Sequence, residues 1–310
     1  MYIRRLMVGL GSLGLAATAH ASNLVQNPDF VGTGGQSGYG QFYPDPTVSS
    51  NKHPAYAVSI ADWNAPLTSD NASAPFLFAV NPADVITSTG FPDSWDSSHP
   101  SLYGPNHGGT LDAGTLLPSG GETTALLLDA DYHITPIYQI IPLADLTPGK
   151  EYTISFEYAA GQWYDRNGDT TEGLEIGLGG RVVQIASINP KTGVNGAALE
   201  SHHFSGWSNF TATFLYSGNP TNMTYGVDYG GQTFQAAANW LTFIGEGSPQ
   251  GEPPTVMITG VSLTQAPDGT PIYQNPGVPE PATWAMTILG FGLLGGVARR
   301  RRAQTPALAA

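Results

Sequence analysis

A chain of 310 residues with 39 Gly, 25 Pro and no Cys gives about a fifth of its positions to the two residues that interrupt regular structure, which argues against a helical bundle and for a turn-rich β fold. The absence of cysteine excludes a disulfide scaffold, a thiolate zinc site, an iron–sulfur cluster and a cysteine nucleophile. A net charge of −13 argues against nucleic acid and polyanionic partners, which require a basic face.

The N-terminus reads Arg4-Arg5, then apolar and small residues over 6–17, then Ala19-His20-Ala21 before Ser22. A positive region, a short apolar stretch and an A-x-A site form the pattern of a secretory signal peptide. The expected leader is 1–21, with Ala19 and Ala21 defining the cleavage site and Ser22 the first mature residue.

Residues 22–266 read as one β-sandwich domain with a loop-rich first half. Over 64–121, Pro, Ser, Asp, Gly and His are mixed, and the clearest strand signal is Pro75-Phe76-Leu77-Phe78-Ala79-Val80. So long an irregular stretch inside a domain usually carries function. Trp63, Phe91, Trp95 and Tyr103 supply apolar anchors for ordered loops.

The second half is more regular. Glu151-Tyr152-Thr153-Ile154-Ser155-Phe156-Glu157-Tyr158 alternates polar and large apolar residues, as a half-buried strand does. Pro148-Gly149 precedes it as a turn, and Asn167-Gly168 after it reads as a hairpin signal. A further hairpin is expected around Gly179-Gly180, between strands at 174–178 and 181–185. Later strands are expected at 207–216, 223–227, 240–244 and 256–263, with Gly218-Asn219-Pro220 as a turn. Trp207 and Phe214 are assigned to the core. Many short strands separated by turns favour a sandwich over βαβ units.

After a Pro/Gly-rich linker at 267–277 come Pro279-Glu280-Pro281, Trp284, an apolar run over 285–298 and Arg299-Arg300-Arg301-Arg302. A helix is expected at about 284–298. It is shorter than the ~20 residues that span a bilayer comfortably, but Trp284 and the arginines anchor its two ends in the headgroup regions. Residues 303–310 form a tail. Between the leader and the Pro-Glu-Pro motif stand five basic and 23 acidic residues, a net charge of −18, so any sugar partner should be neutral.

The tripeptide, the short apolar helix and the terminal arginines together resemble the PEP-CTERM sorting signal of Gram-negative bacteria, over 278–302. The resemblance implies recognition by a membrane transpeptidase-like enzyme, exosortase, with cleavage near the motif and transfer or release at the cell surface. Until then the chain is held in the inner membrane by its C-terminal helix.

The body carries a second resemblance. Asn23-Leu24-Val25-Gln26-Asn27-Pro28-Asp29-Phe30, Tyr138-Gln139-Ile140-Ile141, Leu146-Thr147-Pro148-Gly149-Lys150-Glu151-Tyr152, Phe156-Glu157-Tyr158-Ala159-Ala160-Gly161, the strand from Trp207 to Phe214 and Gly260-Val261-Ser262-Leu263 look like galactose-binding-like jelly rolls. The fold implied is an all-β, two-sheet sandwich that binds glycans in some members. Such modules often hold a structural calcium between the first and last strands. Asp29 matches the first part of that site, while Gly260 stands where an acid or amide ligand is common.

Chemistry-bearing motifs are sparse. There is no G-x-S-x-G nucleophile elbow and no H-E-x-x-H zinc motif. His202 and His203 are adjacent, so on a strand they point to opposite faces. Asp165-Arg166-Asn167-Gly168-Asp169 with Glu172 has the look of a calcium loop but lacks EF-hand spacing, since Thr170 and Ile176 replace the glycine and the bidentate acid. Asp129 with Asp131 and Glu151 with Glu157 can be written as carboxylate pairs for glycoside hydrolysis. Sugar rings stack their C–H faces on aromatic side chains, which makes Trp163 and Tyr164 the candidate glycan contacts, with Tyr225, Tyr229 and Trp240 also near turns. The expected protein is non-catalytic, a structural or glycan-binding component of an exopolysaccharide matrix with no cofactor beyond a structural calcium. The alternative is an extracellular glycoside hydrolase or other carbohydrate-active enzyme.

Overall fold

The structure is a computed structural model that describes residues 22–34, 39–42, 57–65, 77–83, 102–104, 110–111, 115–130, 136–163, 166–185, 199–225, 232–248 and 254–273. The expected leader, the sorting segment with its helix at 284–298, and the tail lie outside the described residues. So do Tyr164, Asp131, Phe91, Trp95 and Tyr229.

In chain order the strands are β1 (Gly32–Gly34), β2 (Tyr39–Phe42), β3 (Ala57–Ile60), β4 (Trp63–Asn64), β5 (Leu77–Val80), β6 (Thr110–Leu111), β7 (Ala125–Asp129), β8 (Ile137–Ile140) and β9 (Glu151–Gln162). They continue as β10 (Thr171–Leu178), β11 (Arg181–Ile185), β12 (His203–Phe204), β13 (Ser208–Leu215), β14 (Thr221–Tyr225), β15 (Gln232–Ala236), β16 (Trp240–Ser248) and β17 (Pro254–Gln265). The larger sheet runs β1-β3-β2-β5-β7-β17-β9-β12-β6, with β13 also on β9; the smaller runs β11-β10-β16-β8-β4. A separate ribbon pairs β14 with β15.

From β7 onward the chain keeps switching sheets: β7, β9, β13 and β17 belong to the larger, β8, β10 and β16 to the smaller. This alternation is the winding of a jelly roll, and it buries one continuous core between the sheets. Tyr152, Ile154 and Phe156 of β9, Leu174, Ile176 and Leu178 of β10, Leu241 and Phe243 of β16, and Val256 and Ile258 of β17 meet there, all with 2% exposure or less. The alternation read over 151–158 has this cause: along β9 every second residue of that segment faces the interior.

Asn167-Gly168 is not a hairpin. β9 pairs with β17, β12 and β13, whereas β10 pairs with β11 and β16. The tripeptide around Gly168, whose φ is +105°, is instead a corner that carries the chain from one sheet to the other. Local turn chemistry is the same in both cases, so only the partners of the flanking strands distinguish them. The expected hairpin at Gly179-Gly180 does join β10 to β11. Gly179 has φ +73° and its α-carbon faces the Ala238 carbonyl so closely that a Cβ would lie 2.6 Å from that oxygen. Glycine is therefore required there on two counts.

The larger sheet is buried on its outer face as well. Phe78, Val80, Ala125, Leu127, Ala159 and Met257 point away from the main core and are covered by Leu102, Trp163, Phe204 and Trp207. Described residues of the loop-rich first half join this second layer: Leu102 bridges Trp163 and Thr115 bridges Trp207. Burial on both faces also explains why Ala125-Leu126-Leu127-Leu128 shows no alternation, although it is a central strand.

The segment expected to be a free linker begins as part of the packed body. Ala266 N–H donates to the Glu151 carbonyl, Thr270 N–H to the Glu151 carboxylate at 2.9 Å, and Tyr273 packs its ring against the main core.

Candidate functional site

A cleft of about 590 Å3 opens at the β4 edge of the smaller sheet, between the N-terminal arm and the turn after β8. Its wall is amphipathic. Ser22, Asn23, Gln26 and Asn64 offer amides and a hydroxyl, Asp62 and Asp145 offer carboxylates, Leu24, Ile140 and Pro142 offer apolar surface, and the buried Gln139 lies beneath them.

Each of these groups is held by a specific local device. Asn23 clamps the arm to the last strand: its Oδ1 accepts from Leu263 N–H at 2.9 Å and its Nδ2 donates to the Val261 carbonyl at 3.1 Å. Gln139, 2% exposed, accepts from Gln26 N–H at 2.8 Å and donates to the Gln26 carbonyl at 2.7 Å, so the side-chain amide mimics a strand partner. Trp63 donates from its indole to the Asn27 carbonyl at 3.0 Å and packs on Phe30, which fixes the start of β4. Asp62 sits in the tight turn between β3 and β4 with φ +68°, a conformation Asp tolerates better than most residues. Asp145 ends a 3-10 turn, Leu143–Asp145, whose last carbonyl accepts from the buried Tyr152 hydroxyl at 3.1 Å.

The cleft borders an aromatic pair. Asn64 lies opposite Tyr138, Tyr138 opposite Thr242, and Ile140 opposite Trp240 in the strand register, so these side chains share the outer face of the smaller sheet. Tyr138 and Trp240 stack with ring centroids 4.1 Å apart and planes 12° apart. Both are half-buried, while Ile140 beside them is 52% exposed. Burial pushes the Tyr138 phenol above its ordinary value, so it is a neutral hydroxyl at physiological pH. Further along the same face Glu175, Thr242 and Ile244 are covered, which confines the open part to the β8–β4 side.

The expected contact Trp163 is elsewhere. It is 1% exposed in the outer core, edge-on to Phe78 at 5.9 Å, so it cannot stack on a sugar. β9 extends to Gln162, further than its alternating segment suggested, and carries Trp163 under the covering layer rather than to a loop tip. Trp207 and Phe214 are core residues as expected, each 3% exposed. The sequence offered Trp240 as a turn-proximal aromatic but gave no reason to join it to Tyr138, Asn64 or Gln139, because those pairings are made across strands.

The Glu151–Glu157 pair does not assemble, and Asp131 of the other pair lies outside the described residues. Glu151 and Glu157 are six residues apart on one strand, about 20 Å by strand rise, beyond the 5 to 9.5 Å that glycoside hydrolysis uses. Glu157 is occupied by the loop it holds, accepting from Ser119 N–H, the Ser119 hydroxyl and Gly120 N–H at 2.7, 2.6 and 3.0 Å. Glu172 is fully buried at the start of β10, where loss of solvation raises its carboxyl to about 8 against the lowering effect of the Thr170 hydroxyl, which donates to it. Of the calcium-loop candidates, Asn167 and Asp169 tie the corner to His202 and Ser201, and Asp165 lies outside the described residues.

Around Asp29 the N-terminal arm meets β17. Thr124 Oγ1 donates to the Asp29 carbonyl at 2.6 Å and Val261 N–H to the Pro28 carbonyl at 3.1 Å. Glu122 is the residue the sequence reading missed here. Its carboxylate lies beside Gly260, where an added Cβ would come within 3.2 Å of Oε1, and its Oε2 is buried without a hydrogen-bond partner. An orphaned carboxylate oxygen of this kind suits a hard cation. Among the described residues no three His, Asp or Glu side chains converge, so main-chain oxygens and water would have to complete a calcium shell.

Residues 277–302 match the PEP-CTERM protein-sorting motif. No curated protein matches the chain. Among solved structures, the chain is similar to TmCBM61 in complex with β-1,4-galactotriose, with 10% identity, 79% of this chain and 100% of that one covered, and a TM-score of 0.32. A putative sugar binding protein from Bacteroides thetaiotaomicron gives 11% identity, the same coverages and a TM-score of 0.32. The MgGH51 α-L-arabinofuranosidase gives 10% identity and a TM-score of 0.34 over 79% of this chain and 26% of that one.

Proposed function

We propose that this acidic β-sandwich, sorted through its PEP-CTERM motif, is a non-catalytic surface or matrix protein of a Gram-negative bacterium that binds a neutral glycan in the β4–β8 cleft. The observation that carries the glycan reading is the lining itself: amides and carboxylates that can read hydroxyls, set beside the Tyr138–Trp240 pair and exposed Ile140. Alternating polar and apolar surface of that kind matches the two faces of a pyranose ring. Among the described residues two carboxylates and no Lys or Arg line the cleft, and the net charge of −18 outside the leader and sorting segment adds to the bias against anionic sugars. Exosortase is the partner that would recognise Pro279, Glu280 and Pro281 and leave the body at the cell surface or in exopolysaccharide.

The test is retention of the processed protein on neutral oligosaccharides, read by calorimetry, with release of reducing ends measured in the same samples. Binding without hydrolysis is expected. Loss of intact oligosaccharide would replace this reading with the hydrolase, for which Asp62 and Asp145 are the two acids in the cleft. No retention on any neutral glycan would leave a purely structural role.

A further inference from the structure

The C-terminal end of the packed chain is fastened along the edge of β13, and the manner of its fastening bears on the sorting reaction. Among the described residues β13 pairs on one side with β9 and has no strand on the other. There Tyr273 N–H donates to the Thr213 carbonyl at 2.6 Å, adding a single rung to the exposed edge. The Tyr273 ring meets Phe210 edge-on, centroids 5.8 Å apart, and Phe210 in turn packs on Phe156 of the main core at 5.1 Å. Lys150 pairs with Asp268 at 2.9 Å and Thr270 N–H is held by Glu151. Residues 267–273 therefore form a strap with an aromatic latch at its end.

We infer that this strap controls how far the sorting motif reaches from the folded body, and that undocking of Tyr273 precedes processing. With the latch closed, five residues stand between Tyr273 and Pro279, a reach of at most about 20 Å of extended chain. With the strap released, the last fixed point is Ala266, and the twelve residues then free give about 45 Å. Only two residues lie between Pro281 and Trp284, so in the sorting reading the apolar run that follows would hold the motif at the membrane surface. A body of some 250 residues is roughly 45 Å across. A closed latch consequently presses that body against the bilayer beside the motif, where a membrane-embedded enzyme has to approach the peptide. Opening the latch clears a gap as wide as the body itself. Once the sorting segment is gone, the latch closes on β13 and covers its exposed edge in the mature protein.

The inference rests on the sorting reading and is independent of the glycan cleft. Its test is pulse-chase conversion of the full-length precursor in cells that process the parental chain, comparing three variants. Tyr273→Ala weakens the latch, and a Gly/Ser insertion of eight residues between Gln274 and Asn275 lengthens the reach without touching the body. Both are expected to convert faster, by roughly two- to tenfold for the loss of one edge-on aromatic contact. An insertion variant that converts at the parental rate or more slowly overturns the latch, even if Tyr273→Ala is fast, since that would report only a destabilised body. The third variant carries alanine at Pro279, Glu280 and Pro281. Its arrest, with parental rates in the other two, overturns the latch alone, whereas its continued conversion overturns the sorting reading and the latch with it.

Discussion

Tyr138 lies flat against Trp240 although they come from strands separated by about a hundred residues of chain; their centroids are 4.1 Å apart and the Trp240 strand partner, Ile140, is half exposed beside them. The pair shares the outer face of the smaller sheet with Ile140 and Asn64, which line the cleft at the β4 edge. If a sugar ring rests there, truncating either aromatic removes stacking worth about 0.5–1.5 kcal/mol. Trp240→Ala and Tyr138→Ala should each weaken neutral-oligosaccharide binding by roughly two- to tenfold while leaving the cooperative unfolding transition in place. Calorimetric titration alongside thermal melts checks both halves of that statement.

Trp163→Ala should do the reverse. The ring is 1% exposed and fills the outer core with Phe78, Leu102 and Phe204, so its removal leaves a cavity that the surrounding strands cannot close. A loss of about 3–5 kcal/mol of stability is expected in urea unfolding, with the folded fraction binding sugar as before.

Glu172 predicts an unusual pH dependence. Burial raises its carboxyl from 4.5 to about 8 in the folded protein. Between those values the unfolded chain has released a proton that the folded chain keeps, so this group makes the protein less stable as pH rises from about 4.5 to about 8, with no further change outside the window. Glu172→Gln keeps an acceptor for the Thr170 hydroxyl and removes the titration. The variant should match the parental protein near pH 4.5, exceed it by a few kcal/mol at pH 8, and show a flatter melting profile in between.

Calcium should act through Glu122. Its buried Oε2 has no hydrogen-bond partner, and the carboxylate lies beside Gly260 of the last strand. We expect millimolar calcium to raise the melting temperature of the parental protein and to leave Glu122→Gln unchanged, because an amide offers a cation no charge. An identical calcium response in the two proteins would place any bound ion elsewhere.

How much of this was legible beforehand follows from the range of each interaction. Alternation over 151–158 announced a strand because one face of it is in the core, and Gly179 announced a hairpin because its conformation is a property of two or three residues. Ala125–Asp129 was silent, since burial on both faces removes the contrast that periodicity detects. Tyr138 and Ile140 could be placed on one face of a strand from spacing alone. Their meeting with Trp240, and the cleft that Gln139 and Asn23 border, depended on which strands became neighbours.

The sequence by itself determined an all-β chain without cysteine chemistry, a strongly acidic body, and a C-terminal sorting motif over 277–302, because composition, charge and short ordered motifs need no knowledge of distant partners. Tertiary structure decided the rest. It put Trp163 beneath a covering layer, turned Asn167-Gly168 from a hairpin into a corner, drew Glu122 to Gly260 and fastened Tyr273 to β13. Each of these joins residues remote in sequence, and the free energy of such contacts comes from burial and strand pairing that exist only once the two sheets have closed on each other.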